Sequence, residues 1–454
     1  MKKILLALLF LIYLTLSITN QLQFSLLVSN FVPVRIFLIL FILLAFGTFL
    51  YRERFKSPGV FWQFLKTDRI FQIALALLAW RGLSLLVAPD IKFGVLMLSW
   101  WASILAFYWL GSYSFKVYKA LKLANIALWG LFLSLFLTIL VAVYQTIAFA
   151  GWGIQRFDLW GWQYPDGFRV PALMLDSNHL GFFTVACFFL VFGWLVSKKR
   201  YLLAVVASFV ILEIQSLASS RSALIGLLVG SVVVIVSLLF KKNYKMLIWF
   251  VLALSFGLST GFLTSKTLEV YTTNFVQNYA LLHSEVRDKV VMTVINTANE
   301  DIDELSFLNN LLPMRVQRIF DASAKSHMAM LKASLELGLK NPILGVGYGN
   351  FSDGLKSYPE IYKEASQYDA RGLSTPKFPS HTLWGEQLAE TGFIGLALYT
   401  LLVMAILIRI RKSGIFFVGL WVSLLAATFF YSANEEFFWL LPFLGLWGVR
   451  NYEN

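Results

Sequence analysis

The sequence predicts an all-α integral membrane protein of about twelve transmembrane helices, with one large extracytoplasmic helical loop between the ninth and tenth. Three observations predict it. Of the 454 residues 58% are hydrophobic and only 14% charged, with a mean hydropathy of +0.71, whereas a soluble domain is about half apolar and a quarter charged. The apolar residues run in blocks of about twenty, the length that crosses a hydrocarbon core. The basic residues alternate between rich and poor connections from one block to the next.

In chain order the spans fall at 4–20, 33–51, 70–88, 92–110, 123–149, 172–196, 201–218, 222–240, 246–264, 388–408, 414–431 and 436–449. Lys2 and Lys3 precede the first run as they would in a signal peptide, but no A-x-A-type cleavage site follows, so it reads as a retained helix. With the N-terminus inside, the cytoplasmic connections carry Arg52, Arg54, Lys56, Lys66 and Arg69; Lys116, Lys119 and Lys122; Lys198, Lys199 and Arg200; Lys241, Lys242 and Lys245; Arg409, Arg411 and Lys412; and Arg450. The short outer connections hold only Arg35, Lys92, Arg156, Arg169 and Arg221. This alternation follows the positive-inside rule and predicts two cytoplasmic termini. The net charge of +13 is therefore topological and gives no reason to expect nucleic acid as a partner.

The domain reading is helices one to nine over 1–264, a large outer loop over 265–383, and helices ten to twelve over 384–454. Long loops translocate largely regardless of charge, so the basic residues of this loop do not hold it inside. Asp321 to Lys340 alternates apolar and polar residues at helical spacing, with Asp321 or Ser323 as N-cap and Asn341-Pro342 as stop. The loop is expected to contain packed helices. Cys187, the single cysteine, lies in a span and can neither staple the loop nor join a metal cluster.

Ionisable residues in or beside spans are costly in lipid and mark cavities or partners. In the expected topology Arg35, Arg81, Arg169, His179, Glu213, Arg221, His381, Glu386, Glu390, Glu435 and Glu436 all gather in the outer half or at the outer surface. Snorkelling or internal pairing explains any one of them equally well. Three segments set Arg or His beside turn chemistry at an outer helix end: FRVPALMLDSNHLG, SLASSRSALIG and PSHTLWGEQLAETGFIG. In the first, Arg169 precedes Pro171, and Asp176, Asn178 and His179 follow, where a capping role for Asp176 and Asn178 is an open alternative. In the second, Arg221 opens a span, where it would suit an anion pocket. In the third, His381 stands where the loop returns to the membrane, placed to orient or deprotonate a hydroxyl, and Glu386 and Glu390 share a helical face.

Other patterns carry less. GVGYGNF at 345–351 lacks the Lys-Ser/Thr of a P-loop and reads as a tight turn. Asp301 and Asp303 form a D-x-D that suits a cation site or, more simply, a solvated acidic loop. His179, His283, His327 and His381 have no zinc-site spacing. No metal or cofactor is expected.

Taken together, RVPALMLDSN, SSRSAL, NPILGVGYGNF and SHTLWGEQLAETGFIG resemble, in order and spacing, the O-antigen ligase and O-antigen polymerase superfamily of bacterial envelope glycosyltransferases, over roughly 169–398. The resemblance implies a GT-C-like membrane fold in the inner membrane with the large loop periplasmic. It implies transfer of a glycan from an undecaprenyl-pyrophosphate donor to an acceptor, without a metal. Arg169 and Arg221 would clamp the pyrophosphate and His381 would act on the acceptor hydroxyl. The family commonly has another arginine just before the loop helix, where this chain reads DASAKSHMAML, leaving Lys325, His327 and Arg318 as candidates for the third cationic group. Substrate contacts are further expected at Asn178, Glu390 and Arg81. The acceptor separates a ligase onto lipid A-core, the favoured reading, from a polymerase extending a glycan or a protein O-oligosaccharyltransferase. A flippase would instead place polar groups near the midplane and serve both faces.

Overall fold

In a computed structural model the chain is described over residues 2–18, 24–26, 29–31, 33–53, 57–118, 120–152, 170–174, 177–282, 322–367, 377–378, 380–431 and 436–446. The helices in order are α1 Lys2–Leu14, α2 Pro33–Glu53, α3 Ser57–Thr67, α4 Arg69–Ser84, α5 Ile91–Tyr118, α6 Ala120–Trp152, α7 Ser177–Ser197, α8 Tyr201–Ala218, α9 Arg221–Phe240, α10 Tyr244–Leu282, α11 Ala322–Lys340, α12 Phe351–Lys356, α13 Pro359–Ser366, α14 Leu383–Ile410, α15 Ile415–Ala427 and α16 Glu436–Leu446. Between α1 and α2 a short antiparallel hairpin pairs Phe24–Leu26 with Ser29–Phe31.

The protein is an all-α integral membrane protein. Among the described residues nine helical segments are long and apolar enough to span: Pro33–Glu53, Arg69–Val87, Ile91–Phe115, Ala124–Ile147, Ser177–Ser197, Tyr201–Ala218, Arg221–Phe240, Tyr244–Leu268 and Leu383–Ser413. The remaining three expected spans, 4–20, 414–431 and 436–449, coincide with the shorter helices α1, α15 and α16. In α1 the helix gives way to a turn at Thr15, and α16 carries Pro442 inside it. The ninth span, Tyr244–Leu268, ends near the expected 264, and its helix α10 continues beyond it through Leu282.

The helices form two compact units, one of 1–134, 225–237 and 320–454, the other of 135–224 and 238–319. In the second, α8 packs against both α7 and α10. Gly257 and Gly261 of α10 lie where a Cβ would strike Leu212 and Ser216 of α8, so the backbones approach closely, as small residues allow in membranes. Helix α7 is apolar all round and 89% of its spanning window is buried, which makes it an interior helix.

In the first unit α14 packs on α4 and α11. The expected loop helix is α11, which ends at Lys340 before Asn341-Pro342. Met330, Ala333 and Leu337 of α11 join Val346, Phe351, Leu355, Ile361, Phe378 and Ala389 in one apolar cluster, so these short helices have a core of their own. Asn341 and Tyr358 tie its edge by side-chain hydrogen bonds of 2.9 and 3.1 Å.

Helix α14 is spliced rather than continuous. Gly392 has φ 67° and ψ −171°, a conformation essentially confined to glycine. The break turns the Phe393 N–H away from α14 to donate to the Pro342 carbonyl at 2.8 Å. The Ala389 carbonyl it would have served accepts instead from Val346 N–H at 2.8 Å, and the Glu390 carbonyl from Gly347 N–H at 3.1 Å. Trp80 Nε1 donates to the Thr391 carbonyl at 2.9 Å. The Ala389, Glu390 and Thr391 carbonyls at the break thus each have a donor, as an apolar surround requires.

Gly392→Ala should therefore cost at least about 2 kcal/mol, from the backbone region alone, with a further clash because a Cβ there would meet the Ile343 carbonyl carbon at 2.5 Å. Gly47→Ala, where nothing lies within 4 Å, is the control. Thermal unfolding in detergent should fall for the first and hold for the second; equal midpoints would overturn the splice as a stability determinant.

Candidate functional site

The first unit builds its polar centre around Arg81, which is only 1% exposed. Its guanidinium lies over the Trp101 ring at 4.1 Å and the Tyr348 ring at 4.4 Å, and Nη2 donates to Gln387 Oε1 at 2.6 Å. Nε and Nη1 are buried with no hydrogen-bond partner among the described residues, so the rings and nearby carboxylates of Glu386 and Glu390 provide the charge environment. Glu390 is 2% exposed and accepts from the Phe351 N–H at 3.1 Å.

The glycine-rich turn delivers Tyr348 to that position. Gly345, Gly347 and Gly349 have φ of 66°, 98° and 75°, left-handed conformations that a side chain would strain. Tyr348 N–H donates to Ser84 Oγ at 3.1 Å, and Asn350 Oδ1 accepts from Asp90 N–H at 2.8 Å. Lys377 closes the edge by bonding Asp90 at 2.9 Å and Asp353. Burial alone would lower the Lys377 ammonium, but its bonds to the two carboxylates outweigh this and raise it. The hydrogen bond from Lys377 pulls Asp90 down, helped by Phe93 N–H. Stability from a raised ammonium is lost only as pH climbs through its folded value, and that from a lowered carboxyl only as pH falls through its own. The tie therefore holds across neutral pH.

His381 sits at the head of α14 with φ 59°. Ser380 Oγ donates to the Thr382 carbonyl at 2.6 Å, and Leu383 N–H donates to the Thr428 carbonyl at 3.1 Å. These bonds fix the chain on both sides of a half-buried imidazole. His327 of α11 faces it, with ring centroids 4.7 Å apart. Gly385 permits this approach, since a Cβ there would meet Ser334 of α11 at 2.9 Å. Lys325 lies two residues before His327 on α11; Arg318 lies outside the described residues.

In the second unit the first two motifs share one corner. Arg169 lies outside the described residues, but its neighbour Val170 donates to the Leu217 carbonyl at 3.1 Å, and Ala172, with φ 51°, donates to Gln145 Oε1 at 3.0 Å. Ser219 ends α8 with φ 48°, and Ser220 starts α9, its carbonyl accepting from Leu224 N–H at 3.0 Å. Ser220 packs on Gly181 of α7, where a Cβ would come within 2.7 Å. Arg221 is half-buried at the first turn of α9, whose start packs through Ser220 and Ala223 on Gly181 of α7, two and three residues past the buried His179 and half-buried Asn178. A cation at a helix N-terminus adds to the positive end of the dipole and favours an anion there.

Sequence reading missed Trp101, Tyr348, Gln387 and the Asp90–Lys377–Asp353 tie. Tyr348 lies in a turn whose glycines signal only local geometry, Gln387 and Asp90 are separated from Arg81 and Lys377 by hundreds of residues, and Trp101 and Asp353 lie on different chain segments from their partners. Among the described residues no three of His, Cys, Asp and Glu gather closely enough to hold a metal ion.

Fold and polar centres together define a multi-pass helical membrane protein whose His- and Arg-bearing motifs stand at helix ends. Residues 214–400 match the family described as O-Antigen ligase, a stretch that contains SSRSAL, NPILGVGYGNF and SHTLWGEQ and begins after RVPALMLDSN. Over that stretch the chain is similar to the O-antigen ligase family. No curated protein matches the chain.

Arg81→Lys should not rescue Arg81→Met, because an ammonium lacks the planar fork that stacks between two rings. Both should destabilise by about 2–4 kcal/mol, from the desolvated cation–π contacts and an unpaired Gln387. Thermal unfolding of the two variants checks this, and a wild-type midpoint for Arg81→Lys would show that charge alone suffices.

Proposed function

We propose that the protein is an O-antigen ligase-type glycosyltransferase of the bacterial inner membrane, moving a glycan from undecaprenyl pyrophosphate to a lipid A-core hydroxyl on the periplasmic face. The match of residues 214–400 to the O-antigen ligase family carries the reading. The alternation of basic connections supports a cytoplasmic N-terminus and a periplasmic large loop.

The acceptor oxygen attacks the anomeric carbon as the carbon–oxygen bond to pyrophosphate breaks, with inversion. His381 takes the hydroxyl proton and the leaving pyrophosphate keeps the bonding electrons. Arg221, at the positive end of α9, and Arg169 stabilise its developing charge, as fixed cations do best in a water-poor site. Each role is assigned residue by residue within its own unit. The third cationic group is one of His327, which faces His381, Lys325 and Arg318, and Asn178 contacts substrate. Arg81 and Glu390 act through α14, holding the helix that carries His381.

In a strain lacking the native gene, His381→Ala should reduce capped lipopolysaccharide by roughly 10²-fold or more, the usual contribution of a general base. Arg221→Ala should also abolish capping, with both proteins at wild-type levels in the membrane. Undiminished capping sinks the assignment, and capping by single repeats in the deletion strain would move it to the polymerase.

A further inference from the structure

The end of α4 and α14 remote from His381 holds a second, unassigned feature. A cleft of about 510 Å³ opens there, lined by Arg69, Arg409 and Lys412 at one end and by Ile73, Met404, Ile408 and neighbouring apolar residues along its walls. Its volume is that of a small-molecule site, roughly 300–1,000 Å³. Arg409 and Lys412 lie at the end of the spanning segment Leu383–Ser413 away from His381. The cationic end thus lies at the membrane boundary opposite His381.

The charges at this mouth are unequal in their commitments. Arg409 donates to Asp68 Oδ2 at 3.2 Å, and Asp68 also accepts from Tyr108 Oη at 3.1 Å and from Phe71 N–H at 3.0 Å. Asp68 is 6% exposed and fully engaged. Arg69 and Lys412 have no carboxylate or other hydrogen-bond partner among the described residues and both are exposed. Below them Met404 and Ile408 are 47% and 53% exposed, on the same face of α14 one turn apart. An apolar groove crowned by two uncommitted cations matches one kind of occupant, a molecule with an anionic head and a hydrocarbon tail. Water would leave the walls poorly solvated, and a neutral lipid would leave the cations unmatched.

We propose that this cleft binds an anionic phospholipid, its phosphate between Arg69 and Lys412 and one acyl chain along Ile73 and Met404. Basic pockets between helices at the cytoplasmic surface are suited to such headgroups. The proposal is independent of the transferase reading.

Native mass spectrometry of the detergent-purified full chain, mixed with equal amounts of phosphatidylglycerol and phosphatidylcholine, tests it. Wild type should retain phosphatidylglycerol preferentially, and the R69Q/K412Q double variant should bind it roughly tenfold to thirtyfold more weakly, at about 1 kcal/mol for each cation. Ala405→Trp fills the cleft without changing charge and should also displace the lipid. Inorganic phosphate at millimolar concentration should not compete. Equal retention of the two lipids, undiminished binding in the double variant, or displacement by inorganic phosphate would each overturn the proposal. Should Ala405→Trp fail to fold, the double variant decides alone, since its side chains are exposed.

Discussion

The break at Gly392 is the constraint on which the first unit depends. A helix in an apolar surround must satisfy each backbone group within itself, so a glycine-only conformation inside α14 would leave carbonyls stranded. The segment from Pro342 to Gly347 supplies Val346 and Gly347 N–H and accepts from Phe393, so loop and membrane helix complete one hydrogen-bond ladder between them. Everything that reaches the head of α14 follows from this exchange. It seats the glycine turn, brings Tyr348 over Arg81, and sets the register in which His381 faces His327.

The buried Arg81 is the second member of that arrangement. A guanidinium removed from water is costly unless it is surrounded by compensating groups. Two aromatic faces and the Gln387 carbonyl provide these, and they come from α4's neighbour α5, from the turn and from α14. The cation therefore acts as a joint among three chain segments. Lys377 plays a parallel part at the edge, where its two carboxylates lie on the start of α5 and on α12.

Much of the fold was legible because lipid imposes simple rules. Length and polarity alone place the long helices to within a few residues, as for Tyr201–Ala218 and Arg221–Phe240, and the loop helix was marked by its stop at Asn341-Pro342. Length rules miss elements that interrupt themselves: the predicted tenth span begins at 388, whereas α14 begins at Leu383, because Gln387 looks polar until its partner Arg81 on α4 is known. The motifs announced His381 and Arg221, yet the reason His381 can stand proud of the chain is its left-handed backbone, held by Ser380 and Thr428. The bond from Leu383 to Thr428, 45 residues away, leaves no local pattern in sequence.

The same two helices also show why polar residues at the two membrane boundaries deserve different readings. At the His381 end Arg81 and Glu390 are enclosed and tied to ring, amide and backbone partners that fix their geometry. At the Arg69 end Asp68 is consumed by Arg409 and Tyr108, while Arg69 and Lys412 remain uncommitted over an apolar groove. The positive-inside rule accounts for cations at that boundary, but it asks nothing of their arrangement. A groove between α4 and α14 that places uncommitted cations above exposed apolar side chains is a further condition, and an anionic amphiphile satisfies both of its halves at once.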